Sequence, residues 1–180
     1  MRKTGERVGS LSVVYGLFFL SGASALVYEV AWVRSLSLVF GGSHLAVTTV
    51  LTVFMGGLAL GSRLLGRRAD EVERPLRLFG LLELGTGVFA LVFLGLMKVY
   101  PEVYGALARL GEDSRVYLSV VRVLFAVAAM IVPTTLMGGT LPVLSRFVSV
   151  RSRTLGRQLS FLYGFNTLGA VAGVLAAGFF

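Results

Sequence analysis

Five side chains in this 180-residue sequence are ionisable or strongly polar within otherwise apolar runs: Glu29, His44, Glu83, Arg122 and Asn166. Such groups are expensive at membrane depth, which makes each a candidate binding or pathway residue. Glu29 lies about 21 residues beyond Val8, roughly 30 Å along a helix. Arg122 lies about six residues, roughly 10 Å, into its own apolar run, and His44 opens another. Chain direction gathers these three into the outer third of a membrane, where Glu29 is expected to pair with Arg122. The alternative is that each snorkels separately to the interface. Glu83 sits about six residues into a run entered from the opposite side, and Asn166, beside Tyr163 and Thr167, lies at a comparable depth. In a functional version Glu83 is a proton or cation site. In a structural version it is a hydrogen-bonded tie between helices, meeting the Asn166 group. A single carboxylate with no second acid beside it favours the structural version.

Other chemistries are excluded by composition. The chain has no Cys, which removes disulfide frameworks, thiolate zinc sites and cysteine nucleophiles together. One His cannot build a multi-histidine metal site. No H-E-x-x-H, G-x-S-x-G or Walker-type phosphate loop occurs. No catalytic residue, metal ligand or cofactor site is therefore assigned.

The elements that must position the five residues are read from hydropathy. The chain is 56% hydrophobic and 14% charged, with a mean hydropathy of +0.84, whereas soluble domains run near a quarter charged. About 20 apolar residues cross a bilayer as a helix. Five runs meet that length, at about 8–33, 44–63, 77–98, 116–145 and 157–180, within a single domain spanning 1–180. The predicted fold is an all-α polytopic membrane helix bundle. The fourth run has a bend expected at Pro133 or Pro142, with a re-entrant piece around Gly138 to Leu144 as the alternative.

Lys plus Arg number 17 against 9 Asp plus Glu, a net charge of +8. Three regions on one side hold 12 of those cations: Arg2, Lys3 and Arg7; Arg63, Arg67, Arg68, Arg74 and Arg77; and Arg146, Arg151, Arg153 and Arg157. Arg34, Lys98, Arg109 and Arg115 fall on the other side, offset by Glu102, Glu112 and Asp113. Short basic loops stay inside, so the N-terminus is expected in the cytoplasm of an inner-membrane protein, with Phe180 reaching the outer side. The charge is then topogenic, and nucleic acid is not an expected partner. A cleaved signal peptide is the weaker reading of the first run. Its 21 uncharged residues exceed a usual signal core, and Tyr28, Trp32 and Arg34 have the pattern of an interfacial anchor.

Self-comparison reveals a repeat. Met55-Gly56-Gly57 returns as Met137-Gly138-Gly139, Ser62-Arg63 as Ser145-Arg146, Leu78-Phe79-Gly80 as Leu162-Tyr163-Gly164, and Leu84-Gly85 as Leu168-Gly169, at offsets of 82, 83 and 84 residues. That periodicity implies two helical hairpins of the same direction, unlike the inverted repeats within each half of facilitator transporters. Recurrence by chance among 23 glycines is the alternative. Gly57-x-x-x-Gly61 and Gly169-x-x-x-Gly173 place small residues on one helix face, which favours close packing within the chain over a dimer contact.

Four segments in order carry a family resemblance: Ser21 to Trp32, with Tyr28-Glu29 at its end; Gly57 to Asp70 followed by Arg74-Pro75-Leu76; Pro133 to Pro142; and Leu162 to Ala170. Together they resemble the membrane-embedded N-terminal region of bacterial and archaeal fused spermidine synthase-like proteins, a facilitator-like half joined to an aminopropyltransferase-like domain. Within the second segment, Gly61 to Arg68 is similar to the Gly/Arg turn of facilitator transporters, although its Asp70 follows the basic residues. The resemblance implies aminopropyl transfer by a soluble domain whose nucleotide loop and acidic amine-holding residues have no counterpart in this sequence. It transfers only Tyr28, Glu29, Trp32, Pro133, Asn166 and Thr167, as membrane-domain signature residues. The chain is then expected to be a membrane module of a spermidine synthase-like system, serving a partner at the cytoplasmic face through its basic loops, which would contact that partner or acidic lipid headgroups. It would be either a short stand-alone relative or one part of a split system. The partner would be a soluble catalytic chain or another membrane subunit. Two alternatives stand beside it: a structural subunit of a larger membrane complex, and a self-oligomeric transporter of small cationic solutes.

Overall fold

The computed structural model describes residues 2–40, 43–69, 71–110, 114–150 and 155–179. Among them are five helices and no strand: α1 (Arg2–Phe40), α2 (Ser43–Ala69), α3 (Pro75–Leu110), α4 (Arg115–Ser149) and α5 (Leu155–Phe179). Every one is long and apolar enough to cross a bilayer. The fold is an all-helical polytopic bundle, and the chain is a multi-pass membrane protein. Leu38, Met55, Leu91 and Phe179 are at least two-thirds exposed, which suits side chains whose solvent is lipid.

The helices outrun the hydropathy runs. α3 continues twelve residues past Lys98 and through Pro101, and α2 continues past Arg63 to take in Arg67 and Arg68. A charge ends an apolar window, but it does not end a helix, because Arg, Lys and Leu are good helix formers and the backbone stays bonded. Arg67 and Arg68 in the last turn of α2 also complement its negative end. Their neighbours Asp70, Glu112, Asp113, Arg151, Arg153 and Phe180, assigned to sides of the membrane from sequence, lie outside the described residues.

Local signals fix the boundaries. Pro75 occupies the first position of α3, where its missing N–H costs nothing, and the Arg74 carbonyl accepts from the amides of Arg77 (3.1 Å) and Leu78 (3.2 Å). Ser114 caps α4: its hydroxyl accepts from the Tyr117 amide at 3.5 Å and its carbonyl from Leu118 at 3.1 Å. Residues 138–144 are helical, so the fourth run is one continuous helix holding both Pro133 and Pro142 rather than a re-entrant piece. Thr134, Thr135 and Thr140 donate back to the Met130, Ile131 and Met137 carbonyls at 2.6 to 2.7 Å, which satisfies three hydroxyls in apolar surroundings.

The chain divides into two compact units, Met1–Ala31 with Leu144–Phe180, and Trp32–Val143. In the first unit α1 and α5 meet through small residues. A methyl group at Gly169 would strike the Phe19 carbonyl, one at Gly173 the Ala23 carbonyl, and one at Gly22 the Asn166 carbonyl. Phe19 to Ala23 matched with Gly169 to Gly173 makes the pair parallel. Tyr15 extends the same contact, donating to Gln158 Oε1 at 3.2 Å and stacking on Phe165 at 5.5 Å.

In the second unit α2 and α4 form a second parallel seam. Gly57 faces Thr134, Gly61 faces Thr135 and Gly138, Gly138 faces the Leu58 backbone, and Gly139 faces Leu65. Both small-residue faces read from the sequence are therefore occupied by helices of the same chain, as expected. Without a hydrophobic difference between helix and lipid, such close backbone approach is what van der Waals association requires. Trp32 anchors the rest of this unit. It is 2% exposed, with Phe93 at 5.5 Å and Phe54 at 6.4 Å between ring centroids. This corrects its assignment as an interfacial anchor: α1 continues to Phe40, so Trp32 falls within a span and its ring fills the junction of α1, α2 and α3.

Candidate functional site

The most developed polar cluster lies in the second unit around Arg122. α4 carries Arg122 seven residues beyond its start, on the same face as Phe125 and Ala126. α3 brings Tyr100 and Tyr104 to it because these lie four residues apart, one turn of the same face. Arg122 donates from Nη1 to the Phe40 carbonyl at 2.8 Å and from Nη2 to the Tyr104 hydroxyl at 2.7 Å. Its guanidinium also lies 5.2 Å from the Tyr104 ring centroid. Tyr104 stacks on Tyr100 at 5.4 Å, and Tyr100 meets Phe125 at 4.4 Å.

The electrostatics of this cluster are uneven. Phe40 is near the end of α1, so its carbonyl is one that the helix leaves without an amide partner, and a cation there also meets the negative end of the helix dipole. Both oxygens that hold Arg122 are neutral. The Tyr100 hydroxyl and Arg122 Nε are buried without hydrogen-bond partners among the described residues. An apolar cavity of about 440 Å³ borders the cluster, walled by Tyr100, Tyr104, Tyr117, Phe125 and neighbouring aliphatic residues. The arrangement ties the ends of three helices together around one charge.

The other sequence-selected residues are placed separately. His44 is exposed in the first turn of α2, four residues beyond the Phe40 carbonyl that Arg122 holds, so His44 and Arg122 do share an end of the second unit. Glu29 is half-buried and belongs to the first unit, whereas Arg122 belongs to the second, where its two terminal nitrogens already have acceptors. Glu83 is half-buried in the second unit and engaged by neighbours. Asn166 is in the first unit, its backbone carbonyl and Oδ1 close against Gly22. Thr167, expected near Glu83, donates to the Tyr163 carbonyl of its own helix at 2.9 Å, and Tyr163 is exposed. Among the described residues no three His, Asp or Glu side chains gather into a group that could hold a metal ion.

Tyr100, Tyr104 and the Phe40 carbonyl were not singled out from the sequence. A backbone carbonyl leaves no sequence signal. The two tyrosines did leave one, an i, i+4 aromatic pair, but they lie beyond Lys98 and flank Pro101, outside the apolar run.

No protein-family model, curated protein or solved structure matches this chain. The fold and its spans define a multi-pass helical membrane protein, and that is the class the structure itself supports.

Proposed function

We propose that this chain is the integral membrane module of a spermidine synthase-like system, serving a partner at the cytoplasmic face. One observation supports it beyond the sequence resemblance. The four segments that carry the resemblance are, in pairs, the faces of the two helix seams. Gly22 of the first meets Asn166 of the fourth, and Gly57 and Gly61 of the second meet Thr134, Thr135 and Gly138 of the third. Residues that recur because they hold helices together suit a scaffold, and they do not need a solute pathway. On the positive-inside rule, the N-terminus and the α2–α3 and α4–α5 turns lie in the cytoplasm of an inner-membrane protein. There they present Arg67, Arg68, Arg74, Arg77 and Arg157 to a partner.

The test is purification of the full chain in mild detergent with mass spectrometry of the proteins that accompany it. A stoichiometric soluble aminopropyltransferase-like chain is the expected result. A large unrelated membrane assembly would make the chain a structural subunit instead. A self-assembled oligomer with no other chain would favour transport, and Glu83 would then be the first residue to substitute.

A further inference from the structure

At the turn between α2 and α3 the surface forms a shallow, open depression of about 520 Å³ lined by Val72, Glu73, Arg74, Arg77, Leu78 and Leu81. Arg77, Leu78 and Leu81 lie in the first two turns of α3 and Arg74 directly precedes its first residue, and all four line the same wall, two arginines before two leucines. Arg74 and Arg77 are exposed, and Leu81 is 56% exposed, so this face is not covered by the other helices of its own unit. The depression lies where the candidate span His44–Ala69 ends and the candidate span Pro75–Arg109 begins, the end of a helical hairpin, which membrane helices carry to the headgroup level. Cations at the level of headgroups, with leucines directly below at the level of acyl chains, match the two halves of a phospholipid.

We propose that the α2–α3 turn binds one acidic phospholipid, its phosphodiester between Arg74 and Arg77 and an acyl chain along Leu78 and Leu81. Arginine suits the role because its planar fork meets two phosphate oxygens at once. Arg67 and Arg68, exposed at the end of α2, add to the positive field across the turn, while Glu71 and Glu73 oppose it. Four arginines against two acids among the described residues of the turn select a headgroup with net negative charge over one that carries its own ammonium. The site stands independently of any catalytic partner.

The test titrates the purified full chain with phosphatidylglycerol or phosphatidylcholine of identical acyl chains and reads bound lipid by native mass spectrometry. Phosphatidylglycerol is expected to bind at the lower concentration. Each arginine near a charged surface contributes about a fivefold factor, so Arg74→Gln with Arg77→Gln is expected to weaken phosphatidylglycerol about thirtyfold and phosphatidylcholine far less. Glu73→Gln is expected to strengthen phosphatidylglycerol, and Leu81→Trp, which fills the apolar wall, to weaken both lipids. Equal binding of the two lipids by the unaltered chain would overturn the proposal. So would a double variant that keeps the preference, or an Arg67→Gln, Arg68→Gln pair that abolishes it by the same factor. Should the Arg74, Arg77 variant fail to fold, phosphatidylglycerol with a photoreactive acyl chain is applied to the unaltered protein. Labelling concentrated around Leu78 and Leu81 supports the site, and labelling spread evenly over the five helices refutes it.

Discussion

Gly56 and Gly138 occupy the same place in the repeated Met-Gly-Gly motif, yet their surroundings make opposite demands. Gly56 is exposed, with nothing within 4 Å of where a methyl would sit, whereas a methyl at Gly138 would stand 2.7 Å from both the Leu58 carbonyl carbon and its Cα. Carbon pairs are most stable at about 3.5–4.0 Å, so Gly138→Ala must push α2 and α4 apart by roughly 1 Å at that level. The obstruction is backbone, which no rotamer change relieves. A gap of that size forfeits between a quarter and a half of the dispersion energy of each contact along the seam, and overpacking of this kind costs about 1–3 kcal/mol. Alanine returns up to about 1 kcal/mol through its better helix propensity. With the full return Gly138→Ala should lose up to about 2 kcal/mol, while Gly56→Ala should gain up to about 1 kcal/mol, so the two should differ by about 1–3 kcal/mol. Gly139→Ala should fall between them, because its obstruction is the Leu65 side chain, which can move. Thermal denaturation in mild detergent, followed by size-exclusion chromatography, measures all three. At roughly 2–4 °C per kcal/mol for a chain of this length, Gly138→Ala and Gly56→Ala should separate clearly. Equal midpoints for the two, or a lower midpoint for Gly56→Ala, would refute the parallel α2–α4 seam.

Two further expectations concern the Arg122 cluster. Tyr104→Phe removes an acceptor from a half-buried guanidinium and should cost about 1.5 kcal/mol, non-additively with Arg122→Leu in a double-mutant cycle read by the same thermal assay; additive losses would mean that the bond contributes nothing. Tyr100→Phe deletes a buried hydroxyl that makes no well-formed hydrogen bond among the described residues but faces the Arg122 guanidinium, so it should change stability by less than Tyr104→Phe, and a loss equal to that of Tyr104→Phe would show that both hydroxyls hold Arg122 alike.

The parts of this fold legible in the sequence are those set by the solvent. Lipid demands long apolar helices, and the five runs at 8–33, 44–63, 77–98, 116–145 and 157–180 each fall on one helix. Helix ends were less legible, because a charge such as Lys98 or Arg63 marks where hydrophobicity stops and not where backbone hydrogen bonding stops. Small-residue faces were also readable, since Gly57-x-x-x-Gly61 and Gly169-x-x-x-Gly173 need a close neighbour. Which neighbour was not, because Thr134 and Phe19 carry no complementary signal. Trp32 shows the same limit from the other side. An aromatic near an arginine has the composition of an interface anchor, and only the three-dimensional junction with Phe54 and Phe93 reveals a core residue. For the candidate site, Arg122 was legible as an expensive charge, but its acceptors were a backbone carbonyl and a tyrosine past the apparent end of a span.

Both glycine seams join helices that are far apart in synthesis order. Gly138 emerges from the ribosome 77 residues after Gly61, and Gly169 emerges 147 residues after Gly22. At about 5–20 residues per second, the α2 face waits roughly 4–15 s for its partner and the α1 face roughly 7–30 s. Through that interval each presents an unfilled groove to whatever helix drifts past in the bilayer. The partners also become available in nested order, that of the inner α2–α4 contact before that of the outer α1–α5 contact, so an interruption of translation between the last two helices would leave the α1 face without its partner and open to mispairing.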